Sequence, residues 1–271
     1  MDKFKMFLAN AYSAIFARRI FSKFHKILVK TGLKGLGLLY SHENQENNGE
    51  LFFAKRVIKI YKSQNIFDVG ANKGSYSKMF LDAGFGKEIF CFEPHPKTFT
   101  ILDTSVRSLM VKKFDVALSN EEGSFEIYDY SSQDGSEHAS LFKDVIESLH
   151  KSAATAHQVK TTTLDQFFKN LSIDKIGLLK IDTEGNELNV LIGAKGLIER
   201  DKIDIIHFEF NDMNIVSKVF MRDFFKILPR FNFYRLLPND FLPLNQSDIL
   251  FNELFSYQNI VAIRRDIDKE V

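Results

Sequence analysis

The sequence contains no tryptophan and one cysteine, Cys91, in 271 residues. A single thiol excludes an internal disulfide framework and a cysteine-rich zinc site, and it fits a reducing compartment. The seven histidines show no H-x-x-H or H-E-x-x-H spacing, so a zinc site is not expected from them either. The chain also lacks an excess of one charge. Its net charge is +1, which gives no global argument for nucleic acid as a partner. No apolar run approaches the roughly 18 residues of a membrane span. The N-terminus is basic, but no apolar core of about 7–15 residues with a small-residue cleavage site follows it. Export is not expected, and the expected location is cytoplasmic.

What is present is a hydrophobic content of 45%, enough to bury the core of one full domain with an appendage. Twenty-eight phenylalanines, beside many Lys, Ile and Asn, read as compositional drift. Charge is unevenly placed. Residues 1–40 hold eight Lys/Arg and one acid, Asp2, for a net +7, which leaves the remainder at −6. Over residues 4–30, Phe4, Phe7, Leu8, Ala11, Ile15 and Phe16 recur at helical spacing, and Ile20, Phe24, Ile27 and Leu28 continue the stripe. Arg18, Arg19, Lys23, Lys26 and Lys30 fall mostly off it. Two readings stay open: a helical cap on the main domain, or a helix that lies on an anionic membrane surface or a partner. Residues 41–49 form a polar linker, so the expected division is a basic amphipathic extension over 1–49 and one domain over 50–271.

From residue 65 onward, strand and helix patterns alternate. Strands are expected at 66–69, 88–92, 113–117, 124–130, 176–181, 203–210, 233–237 and 260–264. Helices are expected at 50–61, 75–83, 98–110, 163–171, 187–192, 194–199 and 217–228. Such alternation predicts an α/β doubly wound, mostly parallel sheet with helices on both faces and the ligand at the carboxyl ends of the strands.

The 66–69 run leads into a glycine turn: Ile66-Phe67-Asp68-Val69-Gly70-Ala71-Asn72-Lys73-Gly74-Ser75. Gly70 allows the sharp turn, and Gly74 allows a close helix. The G-x-x-x-G spacing is not the G-x-G-x-x-G of dinucleotide binders, so no pyrophosphate cradle is expected. Asp68 would repel a phosphate and welcome a cation. Glu93, ending the second strand, is placed to accept hydrogen bonds from ribose hydroxyls. The set suits a cationic nucleoside without phosphates, such as S-adenosylmethionine.

Asp-Val-Gly-Ala-Asn-Lys-Gly-Ser-Tyr-Ser from Asp68, then Phe92-Glu93-Pro94-His95-Pro96 with Phe99, resembles the FkbM family of S-adenosylmethionine-dependent methyltransferases. Val116-Ala117-Leu118-Ser119, Thr163-Leu164-Asp165, Leu179-Lys180-Ile181-Asp182-Thr183-Glu184-Gly185-Asn186-Glu187 and Phe208-Glu209 follow in the same order. The resemblance covers roughly residues 50–265. It implies a class I, Rossmann-like sheet of seven strands, and O-methyl transfer, often to a hydroxyl of a sugar or other natural-product scaffold. It also implies that Asp68, Gly70, Asn72, Gly74 and Ser75 form the cofactor's amino-acid pocket, that Glu93 holds the ribose, and that Asp115 to Ala117 lie along the adenine edge. At 115 the family more often carries Asn. The region 130–158, with Asp134, Glu137, His138 and Ser140, is expected to fold over the acceptor.

An alcohol is a poor nucleophile, and a positioned base contributes about 10²–10⁴-fold. The candidates are Asp182, Glu184, His207 and Glu209. Asp182 and Glu184 follow the central strand into the crevice, while His207 and Glu209 share one face of the next strand. Lys180 shares the face of Asp182 and can tune a neighbouring acid. A divalent cation on Asp182, Asn211 and Asp212 is a second mechanism, although Asn-Asp after a strand is more often a turn signal. Two other classes remain in view: a nicotinamide-dependent oxidoreductase, which the glycine spacing opposes, and a non-catalytic protein that has kept the fold. The acceptor is expected to be a glycan or other small molecule. Oligomeric state is open.

Overall fold

In the computed structural model the described residues are 3–40, 44–61, 65–132, 135–136 and 139–268. The strands are β1 (Asn65–Val69), β2 (Glu88–Phe92), β3 (Val111–Phe114), β4 (Ala117–Leu118), β5 (Gly123–Tyr130), β6 (Ala154–Thr162), β7 (Ile176–Ile181), β8 (Ile203–Phe210), β9 (Phe231–Leu237), β10 (Asp240–Pro243) and β11 (Gln258–Arg264). Eight of them form the main sheet in the order β10-β9-β11-β8-β7-β1-β2-β3. The pairs from β3 across to β8 are parallel, and β11, β9 and β10 close the sheet antiparallel. The expected sheet had seven strands. The eighth, β10, is a four-residue edge strand paired to β9, too short to carry a periodic signal.

Alternate residues of the parallel strands feed two cores, one on each face. Phe67, Phe90, Leu179 and Phe208 pack with Val190, Leu197 and Phe224 from helices Glu187–Ile192, Lys195–Glu199 and Met221–Ile227. Ile66, Ile89, Leu178 and Ile205 pack with Phe53, Met79 and Leu102 from helices Glu50–Arg56, Ser75–Asp82 and Pro96–Ser105. Strands buried on both faces read as near-continuous apolar runs, which is why β7 and β8 are plain in the sequence.

The residues beyond those runs define the site. On the second face the register places Cys91, Asp68, Lys180 and His207 side by side across β2, β1, β7 and β8. Two residues further along, at the carboxyl ends, come Glu93, Asp182 and Glu209.

A second sheet, in the order β4-β6-β5, was not expected. Its strand β6 has an alternating but polar sequence with only Val159 and Thr161 buried, so it carries little hydrophobic signal. The expected helix at 217–228 forms only over Met221–Ile227; a separate helix, Met213–Ser217, precedes it, and Lys218 between them has φ +57.

The N-terminal extension is helical, with Lys3–Phe16 and Ser22–Gly35, but neither helix has a buried residue. The cap reading therefore fails. Only the following turn enters the domain, where Leu38 is fully buried.

Gly70 tests the tightness of the first turn. It has φ +77, and a Cβ there would sit 1.7 Å from the Asp182 carbonyl oxygen. Gly84, at φ +92, has open space around the same position. Gly84→Ala is expected to cost about 1 kcal/mol from backbone strain alone. Gly70→Ala is expected to cost at least about 2 kcal/mol more in urea denaturation, because β1 and β7 must separate.

Candidate active site

The carboxyl ends of β1, β2, β7 and β8 open into a cavity of about 360 Å³. Its floor is the first turn, whose amides are already paired. The amides of Gly70 and Ala71 both donate to the Phe92 carbonyl at 3.0 Å. That of Asn72 donates to Glu93 Oε2 at 2.9 Å, that of Lys73 to Asn72 Oδ1 at 2.7 Å, and that of Gly74 to the Ala71 carbonyl at 2.8 Å. Five successive N–H groups are thus already paired. A phosphate cradle needs such groups unpaired and converging, so this turn has none to offer a pyrophosphate.

Two carboxylates flank the turn. Asp68 is 1% exposed and accepts from Ser77 Oγ at 2.5 Å. Burial raises its pKa to about 6. Glu93 is 6% exposed, and its two oxygens accept from the amides of Asn72 and His95. Burial raises its pKa to about 7 against those hydrogen bonds. Beside them Phe92, Val116, Ala117 and Leu118 give the cavity an apolar wall. An apolar slot next to two acids, without a phosphate site, fits S-adenosylmethionine: a purine, a ribose and a cation.

Across the cavity stands Lys180. It is 1% exposed, and its Nζ lies 3.5 Å from Asp182 Oδ2, 3.8 Å from Glu209 Oε1 and 3.9 Å from Glu50 Oε1. No described residue accepts a hydrogen bond from that Nζ, and the Tyr76 ring lies beneath it at 5.5 Å. Burial alone would drive the ammonium toward neutrality, but the charges of Asp182, Glu209 and Glu50 outweigh it and raise its pKa. Lys180 is a cation. Glu209 is protonated far more readily than an ordinary carboxyl because of burial and the nearby Asp182, with Lys180 opposing.

Glu184 sits in the turn after β7 with φ +51, an uncommon conformation for a residue with a side chain. The turn is held from within. Glu187 Oε1 accepts from the amides of Thr183 and Gly185, and Ser140 Oγ donates to the Glu184 carbonyl. Burial and the charge of Asp182 raise the Glu184 pKa well above its usual value.

Of the residues expected at the site, Asp68, Gly70, Asn72, Ser75, Glu93, Ala117, Asp182, Glu184 and Glu209 line the cavity. Three do not. His207 is fully buried beneath it, with Nδ1 2.8 Å from the Tyr76 hydroxyl and Nε2 2.9 Å from Asn259 Oδ1. Facing an amide oxygen, Nε2 carries the proton and leaves Nδ1 to accept from Tyr76. Burial and Lys180 lower its pKa well below the usual value, so it is a neutral core residue and has no access to a substrate. Asp115 is exposed, just past the end of β3, and only its neighbours Val116 and Ala117 face the cavity. Gly74 faces a helix instead, since a Cβ there would meet Val106 and Leu102 at 2.3 and 2.8 Å.

Asn211 commits its side-chain oxygen to the amide of Met213, as a turn residue does. Among the described residues no group of three or more His, Cys, Asp or Glu could hold a metal ion. Asp134, Glu137 and His138 lie outside the described residues, whereas Ser136, Ala139 and Leu141 from the same region line the cavity. Glu50 and Tyr257 also line it and were not foreseen. They are brought in by contacts across most of the chain, which no local pattern reports.

The family model for the methyltransferase FkbM domain matches residues 68–235. The 2-O-methyltransferase NoeI of Sinorhizobium fredii (strain NBRC 101917 / NGR234) is 23% identical over 184 residues, spanning 64% of this chain and 74% of that protein. Among solved structures, the plantazolicin methyltransferase BpumL in complex with SAH is similar at a TM-score of 0.46 and 9% identity, covering 90% of this chain and 91% of that one. The O-methyltransferase from Bacillus cereus in complex with SAH is similar at 0.43 and 11%, covering 94% and 96%. The chain belongs to the FkbM methyltransferase family. It is an S-adenosylmethionine-dependent methyltransferase with a class I, Rossmann-like fold, and this membership favours neither the nicotinamide-dependent oxidoreductase nor the non-catalytic reading.

The buried carboxyls make stability depend on pH. In the folded chain Glu93 stays protonated up to about pH 7, whereas in the unfolded chain it ionises above its ordinary 4.5. Folding therefore takes up a proton between these values, and stability falls as pH rises through that window. Denaturation at pH 5 and pH 7 without cofactor is expected to show this loss, and Glu93→Gln is expected to reduce it.

Proposed function

We propose that the protein transfers a methyl group to a hydroxyl of a sugar in a glycan, glycolipid or secondary metabolite. The observation that carries this reading is the carboxylate set of Asp182, Glu184 and Glu209 gathered at the wall of the cofactor cavity. When bound, S-adenosylmethionine supplies a methyl carbon already activated by its sulfonium charge. Asp68, Gly70, Asn72 and Ser75 would hold its amino-acid part, Glu93 its ribose, and Val116 with Ala117 its purine.

The chain's own task is to align an oxygen and remove its proton. Carboxylates accept hydrogen bonds from several hydroxyls of one sugar, and so fix which of them faces the methyl donor; orientation of this kind supplies several kcal/mol. Glu209 is the proton acceptor in this reading. A carboxyl with a raised pKa holds an abstracted proton better than an ordinary one, and the charge of Lys180 opposes that rise. Asp182 holds Lys180 and shares its charge. The likeness to a 2-O-methyltransferase supports an oxygen acceptor.

Glu209→Gln is expected to lower kcat about 10²–10⁴-fold while leaving cofactor affinity within a few-fold by calorimetry. Activity of the unaltered enzyme is expected to rise with pH as Glu209 loses its proton, the acid limb lying above the usual carboxylate range. Mass spectrometry of glycans from cells with and without the gene names the acceptor. A sugar one methyl group lighter in the deletion supports the reading, and an unchanged glycan profile contradicts it.

A further inference from the structure

The two N-terminal helices present a surface that no described residue buries. Phe4 is 66% exposed, Phe7 68%, Ile15 57% and Ile27 63%. On the first helix Phe4, Phe7, Leu8, Ala11 and Ile15 share one face, as do Phe24, Ile27 and Leu28 on the second. The Tyr12 hydroxyl meets His25 Nε2 at 2.8 Å, and Phe16 packs edge-on against Phe21, so the helices form one unit. Apolar helix faces left exposed in this way mark an interaction site.

Charge decides the occupant. Residues 3–35 contain eight Lys/Arg and no Asp or Glu. On the second helix Lys23, Lys26, Lys30 and Lys34 run in a line beside the apolar stripe. An apolar stripe bordered by cations matches a surface that is anionic at its headgroups and apolar just beneath them. A second copy of this chain would bring eight cations against eight others. We propose that the helix pair docks in the plane of an anionic phospholipid surface. Each helix has 14 residues, and no described helix is long and apolar enough to cross a membrane, so the contact is interfacial.

The pair is rooted at the rim of the cavity. Arg235 Nη1 donates to the Leu36 carbonyl at 3.1 Å, and the Leu39 amide donates to the Tyr257 carbonyl at 3.1 Å. Tyr257 lines the cavity, and so do Gln45 and Glu50 from the segment that follows. Docking thus holds that rim close to the surface, where a lipid-borne acceptor would reach it. This last consequence rests on the methyl-transfer reading; the docking itself does not.

Flotation of the full-length protein with phosphatidylcholine vesicles, with and without phosphatidylglycerol, tests the proposal. Binding is expected to be at least about tenfold stronger with the anionic lipid and to weaken as salt screens it. Lys23→Glu/Lys26→Glu/Lys30→Glu is expected to abolish the lipid preference, and Phe7→Ser/Ile15→Ser/Ile27→Ser to abolish binding at any salt. Calorimetry with S-adenosylmethionine checks that both variants remain folded, since the substituted side chains are exposed. Failure of the cofactor-competent protein to float with anionic vesicles overturns the proposal. So does a dimer that the apolar variant converts to a monomer without any lipid binding, because a second copy then covers the stripe.

Discussion

One buried ammonium organises the carboxyl edge of this sheet. Lys180 is placed by its strand among Asp182, Glu209 and Glu50, three acids from three separate parts of the chain. Removing a charge from water costs several kcal/mol unless opposite charges and hydrogen bonds replace the solvent. Here the charges are supplied and the hydrogen bonds from Nζ are not. The lysine is buried, held by charge, and lines the cavity. It lets acids whose mutual repulsion would keep them protonated share one wall of the cavity. It also ties the segment entering from the N-terminal helices to the site, through Glu50.

The opposite wall follows a different rule. The five amides of the first turn are already paired, with the Phe92 carbonyl, Glu93, Asn72 and Ala71, so the turn has none of them to offer a phosphate. Its acids, Asp68 and Glu93, supply what a cationic nucleoside needs. The two walls together account for a donor that brings positive charge and an acceptor that must lose a proton. The small sheet of β4, β6 and β5 closes the space with Ala117, Leu118 and Ile127.

Most of this edge was legible in the sequence because a parallel sheet displays its functional residues at strand ends, where an apolar run stops at an acid. That pattern points to Asp68, Glu93, Asp182 and Glu209, all of which line the cavity. His207 was misread for a physical reason. Period-two alternation assigns a face to a side chain but not its depth, and two residues separate a core histidine from a cavity acid. Asp115 was carried by resemblance, and the structure turns it outward. Glu50 and Tyr257 left no signal at all, since their positions depend on contacts between distant segments. In the extension, periodicity assigns the apolar residues to one face but cannot say whether that face is covered.

The central claim is that the charge of Lys180 sets the protonation of the carboxyl wall. Replacing it with methionine keeps the volume and removes the charge. A carbon-13 titration of the Glu209 carboxyl in Lys180→Met, beside the unaltered protein, reads the effect without needing the acceptor. The account predicts that the Glu209 titration moves to higher pH by at least about one pH unit, since an ionised carboxylate loses its nearest cation. An unchanged titration in a folded, cofactor-binding variant would contradict it.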